Sequence, residues 1–555
     1  MSSLRHRAVV PNPPSSRPPS SPTSSSSSQA SQFVAPPFFL SYRLPLLLIV
    51  FRVANALVIR TQSVPDEYWQ SLEVAHWVVF GYGYLTWEWR EKIRSFAHPL
   101  LFAGVYKLLD VLRLDQTKLL FLGPKILQGI LAGIGEYATY RLADILFGRN
   151  AARWTLFSSV ISWFNFYHLV RTLSNSMEAI FTALALFYWP WSSESGLRMH
   201  RFRMALFWAA ISCMLRPTNA LVWGFLGLEL LHRHRHHTMA ILLNVSIIMF
   251  FALAMLVGID YLFYGEILFT PYHFLEVNVF RSISIFYGVH SWHWYVTQGV
   301  PVLCLTLLFP ALHGIRLACS APHPRSTSAA KLMVALVGFT VVLYSVLPHK
   351  EFRFVHPLLP PLLAFAGLSL SLSHPRHRRY WIVLLVLTQV PMGLYMALRH
   401  QRGVLDVMHE LREHAAGTGE SVGFLMPCHS TPFYASLHKP IPMWFLTCEP
   451  PLEAHNKASH YLDEADQFYA DPVEFLRTRL VEWKEVKGGQ QRLGENPQRW
   501  WPHRLVIFEE LLSRSDGKVK HLLETKGYRE CQRYFNSDFH DDKRRQGDVL
   551  LLCRD

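Results

Sequence analysis

Charged residues are scarce in this 555-residue chain. They make up 17% of it, against about 25% in an average soluble protein, while 50% of the residues are hydrophobic and 14% are aromatic. The apolar residues are concentrated in runs, which excludes a simple string of soluble domains. Cysteine is also rare, and seven cysteines in a chain of this length exclude a disulfide-dense scaffold. The composition is typical of an integral membrane protein.

Motifs for nucleotide chemistry are missing as well. The sequence has no Walker loop and no dinucleotide-binding glycine fingerprint, so nothing in it indicates nucleotide-driven chemistry. The net charge of +14 would suit a nucleic-acid partner, but the basic residues lie mainly at the N-terminus and between apolar runs. That distribution is typical of cytoplasmic loops in a membrane protein, and we therefore expect no nucleic-acid partner.

Three regions are predicted along the chain. Residues 1–36 contain twelve Ser, seven Pro and no acid, which indicates a disordered arm, placed in the cytoplasm by its basic residues. Residues 37–399 carry the apolar runs and form the predicted transmembrane domain. Residues 400–555 regain charge and form a small α/β domain, which we expect on the opposite, luminal side of the membrane.

The predicted fold is an all-α polytopic membrane protein with this C-terminal α/β domain. Several apolar runs are too short to cross a bilayer core of about 20 residues alone, so the count is eleven to thirteen spans. A count of thirteen puts the basic loops in the cytoplasm, and a count of eleven gives the same location of the two ends of the chain. These loops are 107–118, 149–153, 198–203, 232–237 and 375–379. The apolar stretches fall near 38–57, 98–113, 118–134, 135–146, 152–169, 175–191, 204–215, 217–231, 238–264, 298–319, 331–348, 354–373 and 380–398.

The C-terminal region has its own local signals. Short apolar runs at 421–426, 504–510 and 549–552 predict strands, and 472–483 and 509–525 predict helices. Four cysteines also fall in this region, and three pairings are open to them. The most local pairing joins Cys428 to Cys448 and Cys531 to Cys553, and the sequence does not choose among the three.

The first acidic residues of the whole chain are Asp66 and Glu67, directly after the first span. One interpretation is that they simply follow a helix end in a solvated loop. The other is that one of them is a catalytic base at the membrane surface, with the neighbouring residue sharing that work or orienting a substrate. Aromatic residues crowd the same loop and would give a sugar an apolar face to pack on. They are Tyr68, Trp69, Trp77, Tyr82, Tyr84, Trp87 and Trp89.

A second polar group, HKEFRF at 349–354, lies between two later apolar runs on the same predicted side. His349, Lys350 and Arg353 could bind a phosphate, the arginine through its planar fork and the lysine as a point charge. The alternative is that the two cations only reach from a span end to the lipid headgroups. Basic residues are depleted at luminal span ends, which favours the phosphate interpretation.

Further candidates lie at breaks between apolar runs. Arg171 and Arg216 each mark such a break and could bind the same phosphate, or could merely meet lipid headgroups. His290 and His293 lie among aromatic residues in the largest loop of the membrane domain. Two histidines without a third ligand are weak support for zinc, so we predict a sugar-binding or lipid-binding platform there and no metal site.

Together these motifs resemble glycosyltransferase family 22, the polytopic mannosyltransferases of the endoplasmic reticulum that use dolichyl phosphate mannose. The resemblance covers about residues 60 to 470, and within the family it points to the branch that acts on GPI precursors. It rests on VPDEYWQSLEVAH (64–76), GYGYLTWEW (81–89), RTLSNSME (171–178), WHWYVTQGVP (292–301), HKEFRF (349–354), HQRGVLDVM (400–408), MPCHSTPFY (426–434) and HYLDEADQFY (460–469).

The resemblance implies a GT-C fold and an inverting transfer of α-1,2-linked mannose from dolichyl phosphate mannose to a GPI precursor carrying two mannoses. It also implies no nucleotide sugar, no cofactor and no essential metal. Relatives acting on N-glycan lipid precursors remain an alternative. A transporter or a non-catalytic scaffold would belong to another class, and the sequence shows no internal repeat of the kind that many transporters have.

Overall fold

The computed structural model of the protein describes residues 42–191, 197–320, 327–414, 420–452, 461–482 and 499–554. It divides the chain into two compact units, 1–43 and 44–555. Only Tyr42 and Arg43 of the first unit are among the described residues, so the predicted N-terminal arm lies outside them. The helices and the sheet considered below belong to the second unit.

Most of the described chain before residue 400 is helical. The short helices and single helical turns in this part include Tyr68–Leu72, Glu73–Phe80, Trp87–Arg90, Asn165–Leu169, Pro217–Asn219, Thr270–Leu275, Tyr295–Gly299 and Phe352–Leu358. The longer helices are Arg43–Val58, Ala97–Val111, Leu119–Phe147, Arg149–Ile161, Ser174–Tyr188, Met199–Leu215, Ala220–Arg233, Thr238–Tyr264, Leu308–Cys319, Ser328–Val346, Leu359–Leu372 and Pro375–Leu398.

Six helical segments in the described part of the chain are long and apolar enough to cross a membrane. The predicted runs 118–134 and 135–146 form one of them, because no break interrupts the helix between Leu119 and Phe147. The six segments are Leu119–Phe147, Arg235–Tyr264, Tyr295–Cys319, Ser328–Val346, Phe352–Leu372 and Pro375–His414.

The helix Ala97–Val111 does not cross to the opposite side. The loop that follows it contacts the C-terminal domain: Gln116 Nε2 lies 3.1 Å from His438 Nε2, and Arg412 donates to the Gln116 carbonyl at 3.3 Å. The prediction that loop 107–118 faces away from the C-terminal domain is therefore wrong. Loop charge does not distinguish a helix lying along the surface from one that crosses.

The helix Leu359–Leu372 lies at the centre of the bundle, with most of its side chains buried. Two glycines allow its neighbours to come close. A Cβ on Gly367 would lie 2.1 Å from Thr155 Oγ1, and one on Gly314 would lie 1.9 Å from the Phe365 carbonyl oxygen. Small residues of this kind let membrane helices pack with their backbones almost in contact.

The C-terminal region contains a five-stranded sheet. Strands β1 (Val422–Leu425), β2 (Met443–Phe445), β5 (Arg504–Phe508), β6 (Arg529–Tyr534) and β7 (Val549–Cys553) lie in the order β2-β1-β5-β7-β6. β1 is parallel to β2 and β5, and β7 is antiparallel to β5 and β6. β3 (Leu480–Val481) and β4 (Arg499–Trp500) pair separately. The three predicted strands are confirmed as β1, β5 and β7.

The region also contains helices, and the two that were predicted are present in shortened form. Pro472–Arg479 matches the first, and Glu510–Ser513 with Lys518–Thr525 matches the second. The break in the second falls where Ser515 and Asp516 adopt positive φ. The other helices of the region are Gly403–His414, Tyr434–Leu437 and Glu464–Ala470.

Both faces of the sheet are buried at β1, β2, β5 and β7, whereas the edge strand β6 is exposed, and the side chains of the buried strands alternate between two cores. On β7, Val549 and Leu551 join the core shared with the first loop and the helical domain, while Leu550 and Leu552 join a second core under the C-terminal helices. The disulfides Cys428–Cys448 and Cys531–Cys553 are both present, so the most local pairing is confirmed.

A buried ion pair lies inside the helical domain. Arg52 and Glu136, from the helices Arg43–Val58 and Leu119–Phe147, are joined by two hydrogen bonds of 2.9 and 2.5 Å, and neither side chain is exposed. Ser159 adds a hydrogen bond to Glu136 at 2.8 Å. A charge at this depth is tolerated only when it is paired.

We expect Arg52→Met to destabilise the protein strongly, by about 3–5 kcal/mol, because it leaves the charge of Glu136 buried without a partner. Arg52→Met with Glu136→Met should recover much of that loss, since no unpaired charge remains. The thermal unfolding midpoint of the detergent-purified protein measures both effects. A double variant as unstable as the single one would contradict this account.

Candidate functional site

The first loop begins with a helical turn that carries the two predicted carboxylates. The carbonyl of Pro65 accepts hydrogen bonds from the amides of Tyr68 and Trp69, and a π-helical turn, Tyr68–Leu72, follows. π-helical turns are frequent at functional sites. Successive residues on a helix point about 100° apart, so Asp66 and Glu67 face different surroundings.

Glu67 is buried and held by several donors. Arg171 Nη1 donates to Glu67 Oε2 at 2.8 Å, and the Ser63 amide donates to the same oxygen at 3.2 Å. Arg171 also donates to the carbonyls of Thr61 and Tyr167 at 2.6 and 2.7 Å. These bonds fix Glu67 and Arg171 together, so both of them hold the first loop in place.

Asp66 has a different environment, with 23% of its side chain exposed. Its Oδ2 lies 2.7 Å from Arg353 Nη1. The other two nitrogens of the Arg353 guanidinium, Nε and Nη2, each donate to Glu351 at 2.7 Å. Arg353 thus joins a carboxylate of the first loop to one of its own segment, and it forms an ion pair with Asp66 that was not predicted from the sequence.

Glu351 and His349 form the other end of this chain of charges. His349 Nε2 lies 3.2 Å from Glu351 Oε1. Burial opposes ionisation of Glu351, but the charge of Arg353 and the hydrogen bond from His349 hold its pKa well below its usual range. Burial alone would lower the pKa of His349, yet the hydrogen bond and charge of Glu351 raise that pKa above its usual value.

Lys350 contacts the large loop that carries His290 and His293. Lys350 Nζ donates to the carbonyls of His290, at 3.0 Å, and Leu347. His290 stacks on Trp294, with ring centroids 4.7 Å apart, and His293 is exposed. The structure does not bring these three side chains to Asp66. Instead, Lys350 ties the HKEFRF segment to the large loop.

Arg216 lies beside Arg353, because the ring of Phe354 is 5.2 Å from the Arg216 guanidinium and 5.7 Å from that of Arg353. Arg216 also pairs with Glu178 at 3.1 Å. Beside it is a small cavity that opens to solvent, with about 410 Å³ of empty space when that open solvent is included. Its lining combines two arginines with apolar side chains and consists of Ile93, Arg94, Ser95, Met214, Leu215, Arg216, Pro217, Thr218, Leu256, Thr270, Pro271 and Phe274.

Arg94 was not predicted as a site residue. It pairs with Glu88 at 2.8 Å, and its charge acts on Asp66 and Arg353. Its presence in the first loop, on a side where basic residues are depleted, was a signal that could have identified it. Glu351 was also missed, although it stands inside HKEFRF as the single acid between two cations.

The C-terminal domain packs directly on the first loop. Trp69 Nε1 donates to the Thr431 carbonyl at 2.9 Å, and the buried Glu73 accepts from the amides of Phe433 and Ala435 at 2.7 and 3.1 Å. The helical turn that carries Asp66 is therefore fixed from both sides, by Arg171 in the membrane domain and by the C-terminal domain.

One group of possible metal ligands occurs among the described residues, formed by Cys428, His429 and Cys448. The two sulfurs are joined in a disulfide and offer no thiolates, so this donor set does not fit a metal ion. His290 and His293, the two histidines weighed as zinc ligands from the sequence, do not belong to that group.

The family model for the Alg9-like mannosyltransferase family matches residues 44–438, which include every candidate residue above. The chain belongs to the Alg9-like mannosyltransferase family. It is therefore a glycosyltransferase, and its apolar helices make it a multi-pass membrane protein. The resemblance to family 22 is confirmed.

Curated members of the same family match nearly the whole chain. GPI mannosyltransferase 3 of Yarrowia lipolytica is 41% identical over 515 residues, which cover 92% of this chain and 97% of the yeast protein. GPI alpha-1,2-mannosyltransferase 3 of Homo sapiens is 38% identical over 439 residues, covering 78% of this chain and 76% of the human protein.

Among solved structures, ArnT from Cupriavidus metallidurans bound to undecaprenyl phosphate matches with a TM-score of 0.55 at 12% identity. The match covers 93% of this chain and 98% of ArnT. At that identity the likeness concerns the fold alone, and it confirms the GT-C fold with a small C-terminal sheet region.

In this Alg9-like protein, Glu73 makes the contact between the domains pH-dependent. Burial raises the pKa of Glu73 to about 7 from 4.5, although backbone amides favour the ionised form. As the pH rises, the Glu73 carboxyl loses its proton in the unfolded chain before it does so in the folded protein. The contribution of the protonated carboxyl to the free energy of unfolding is therefore complete below about pH 4.5 and is lost between about pH 4.5 and about pH 7. Glu73→Gln stays neutral throughout.

We therefore expect the unfolding midpoint of Glu73→Gln, relative to that of the wild type, to rise by roughly 1–4 °C between about pH 5.5 and about pH 7.5. Glu91→Gln, at an exposed position of the same loop, is the matched control and should show no such trend. A pH-independent difference for Glu73→Gln would show that this carboxyl does not titrate near neutral pH.

Proposed function

We propose that the protein transfers the third mannose of GPI-anchor biosynthesis, moving an α-1,2-linked mannose from dolichyl phosphate mannose to the glucosaminyl-phosphatidylinositol precursor that carries two mannoses. The names of the relatives support the acceptor and the linkage. The observation that carries the chemistry is the partly exposed Asp66, held by Arg353 beside a cavity that is lined by two further arginines.

The two adjacent carboxylates take separate roles in this proposal. Glu67 is enclosed by Arg171 and a backbone amide, so it positions the loop. Asp66 is exposed on one side and is the base. It accepts the proton of the acceptor's 2-hydroxyl as that oxygen attacks the anomeric carbon of the donor mannose.

The leaving group is dolichyl phosphate. As the new C–O bond forms, the bond between the anomeric carbon and the phosphate oxygen breaks, and its electron pair stays on the phosphate. Direct displacement converts the β-linked donor into an α-mannoside. The phosphate needs cations that face it, and Arg94 and Arg216 line the cavity and are our candidates for that role.

Arg353 and Glu351 balance the charge during the transfer. Asp66 becomes neutral when it takes the proton, which would leave Arg353 without one of its two counter-ions. Glu351 keeps two hydrogen bonds to Arg353 and stays ionised, because its pKa is held well below its usual range. The guanidinium therefore stays compensated and in place through the reaction.

The cleft opens, in this proposal, to the lumen of the endoplasmic reticulum. The first loop, the HKEFRF segment and the C-terminal domain meet at one end of the helical domain, and that end carries both disulfides of the described chain. Disulfides form and persist in oxidising compartments such as this lumen. Both substrates are anchored in the same membrane, so they reach the cleft from the bilayer.

Asp66→Asn should lower kcat by about 10²–10⁴-fold, because the general base is lost. The assay uses membranes from cells lacking the endogenous activity, with labelled dolichyl phosphate mannose, and measures extension of the two-mannose intermediate per folded molecule. Glu91→Gln is the control in the same loop and should behave as wild type. Glu67→Gln should lower the folded yield more than the turnover of the folded protein, because it leaves Arg171 buried without its counter-ion.

An Asp66→Asn enzyme as active as wild type would exclude Asp66 as the base. Wild type that extends only N-glycan lipid precursors would overturn the GPI assignment. A labelled substrate that crosses the membrane without forming a covalent product would indicate a transporter instead.

Arg94→Gln should lower kcat/KM for the donor by about 10²-fold or more, because one cation facing the leaving phosphate is removed. Arg94→Lys keeps the charge but loses the planar fork, and we expect it to recover part of the loss. Initial rates at varied dolichyl phosphate mannose measure both. A normal donor kcat/KM for Arg94→Gln would place the phosphate elsewhere.

A further inference from the structure

His429 stands in a loop whose conformation is held by several contacts. Its backbone φ is +57°, a left-handed conformation that is uncommon for a residue other than glycine. Its neighbour Cys428 is fixed by the disulfide to Cys448, three residues beyond β2. Residues held in sparsely populated backbone regions cluster at functional sites.

The ring of His429 lies on the helical turn that carries Asp66. It packs on Trp69 with ring centroids 4.3 Å apart, and Trp69 is buried and bonded to the Thr431 carbonyl of the same loop. Phe445 lies 5.4 Å from the His429 ring and 4.8 Å from Trp69, so the three rings form one cluster. These ring contacts fix the orientation of His429 relative to the helical turn. Asp66 lies on that turn, three residues before Trp69.

The ring has almost no polar partner within the protein. Its Nδ1 lies 3.8 Å from Cys428 Sγ, a weak contact, and among the described residues it forms no other hydrogen bond. Burial and the charge of Arg545 lower the pKa of His429 to about 4, against the opposing effect of the charge of Asp66. At neutral pH the imidazole is uncharged and keeps both a donor and an acceptor.

The two sides of Asp66 consequently differ in charge. Arg353 and Arg94, followed by Arg216, lie on the side of the membrane domain, which suits an anionic phosphate. On the side of the C-terminal domain, aromatic rings surround the uncharged His429 and suit the hydroxyls and apolar face of a sugar. Among the described residues of this domain, the one cation that acts on His429 is Arg545. The donor phosphate and the acceptor sugar would then approach Asp66 from opposite sides.

We propose that His429 is an acceptor-binding residue, whose ring exchanges a hydrogen bond with a hydroxyl of the acceptor's terminal mannose and orients its 2-hydroxyl toward Asp66. The C-terminal domain thereby completes the active site. The inference rests on the proposed function, because it names one substrate of that reaction.

The test uses the full-length purified protein with dolichyl phosphate mannose and the two-mannose precursor. His429→Phe keeps a ring against Trp69 but removes both nitrogens. His429→Asn keeps polar atoms and tolerates the left-handed backbone. His521→Phe, at an exposed histidine of the same domain, is the matched control.

We expect His429→Phe to lower kcat/KM for the acceptor by about ten-fold or more, with an unchanged KM for the donor and an unchanged unfolding midpoint. His429→Asn should recover part of the loss, and His521→Phe should match wild type. A His429→Phe enzyme within two-fold of wild type would overturn the inference. An equal loss of kcat/KM for the donor would overturn it as well. So would a loss of kcat/KM in both His429→Phe and His429→Asn that is accompanied by a lower unfolding midpoint.

The same assay separates this inference from the function on which it rests. If wild type extends the two-mannose precursor and His429→Phe does so equally well, only the role of His429 is refuted. If wild type does not extend that precursor, the proposed function fails, and the role of His429 fails with it.

Discussion

The ion pair between Asp66 and Arg353 is the contact on which the candidate site depends. The two residues are separated by most of the membrane domain in sequence, and their meeting at 2.7 Å requires the first loop to fold back over the end of the helical bundle. Arg353 is itself oriented by Glu351 through two parallel bonds. An arginine fork bound in this way has little freedom, so it fixes the position of Asp66 as well.

The first loop keeps its conformation because it is held from two directions. Arg171 bonds Glu67 on the membrane side, while the C-terminal domain accepts the indole of Trp69 and binds Glu73 through its amides. One continuous core contains side chains of the first loop, the helical domain and the sheet. The C-terminal domain is thus a structural part of the site, since the turn carrying Asp66 packs against it.

Charge is unevenly distributed around the cleft, and this suits a reaction between an anionic donor and a neutral hydroxyl. Arginines occupy one side of Asp66, and each also contacts an acid, as Arg94 contacts Glu88 and Arg216 contacts Glu178. Such paired cations can remain buried near a membrane without a bound phosphate. The other side of the cleft carries the aromatic rings around His429, with Arg545 as the cation that acts on this histidine from the C-terminal domain.

The sequence by itself determined the class of protein, its family and most of its elements, because these depend on local signals. Long apolar runs predict helices, short apolar runs predict β1, β5 and β7, and the motifs around Asp66 and Arg353 identify the family. Tertiary structure decided what depends on contacts between distant residues. It separated the buried Glu67 from the exposed Asp66, tied Lys350 to backbone carbonyls, and brought Arg94 and His429 to the cleft. It also placed loop 107–118 beside the C-terminal domain, through contacts of Gln116 with His438 and Arg412 that a count of loop charges does not detect.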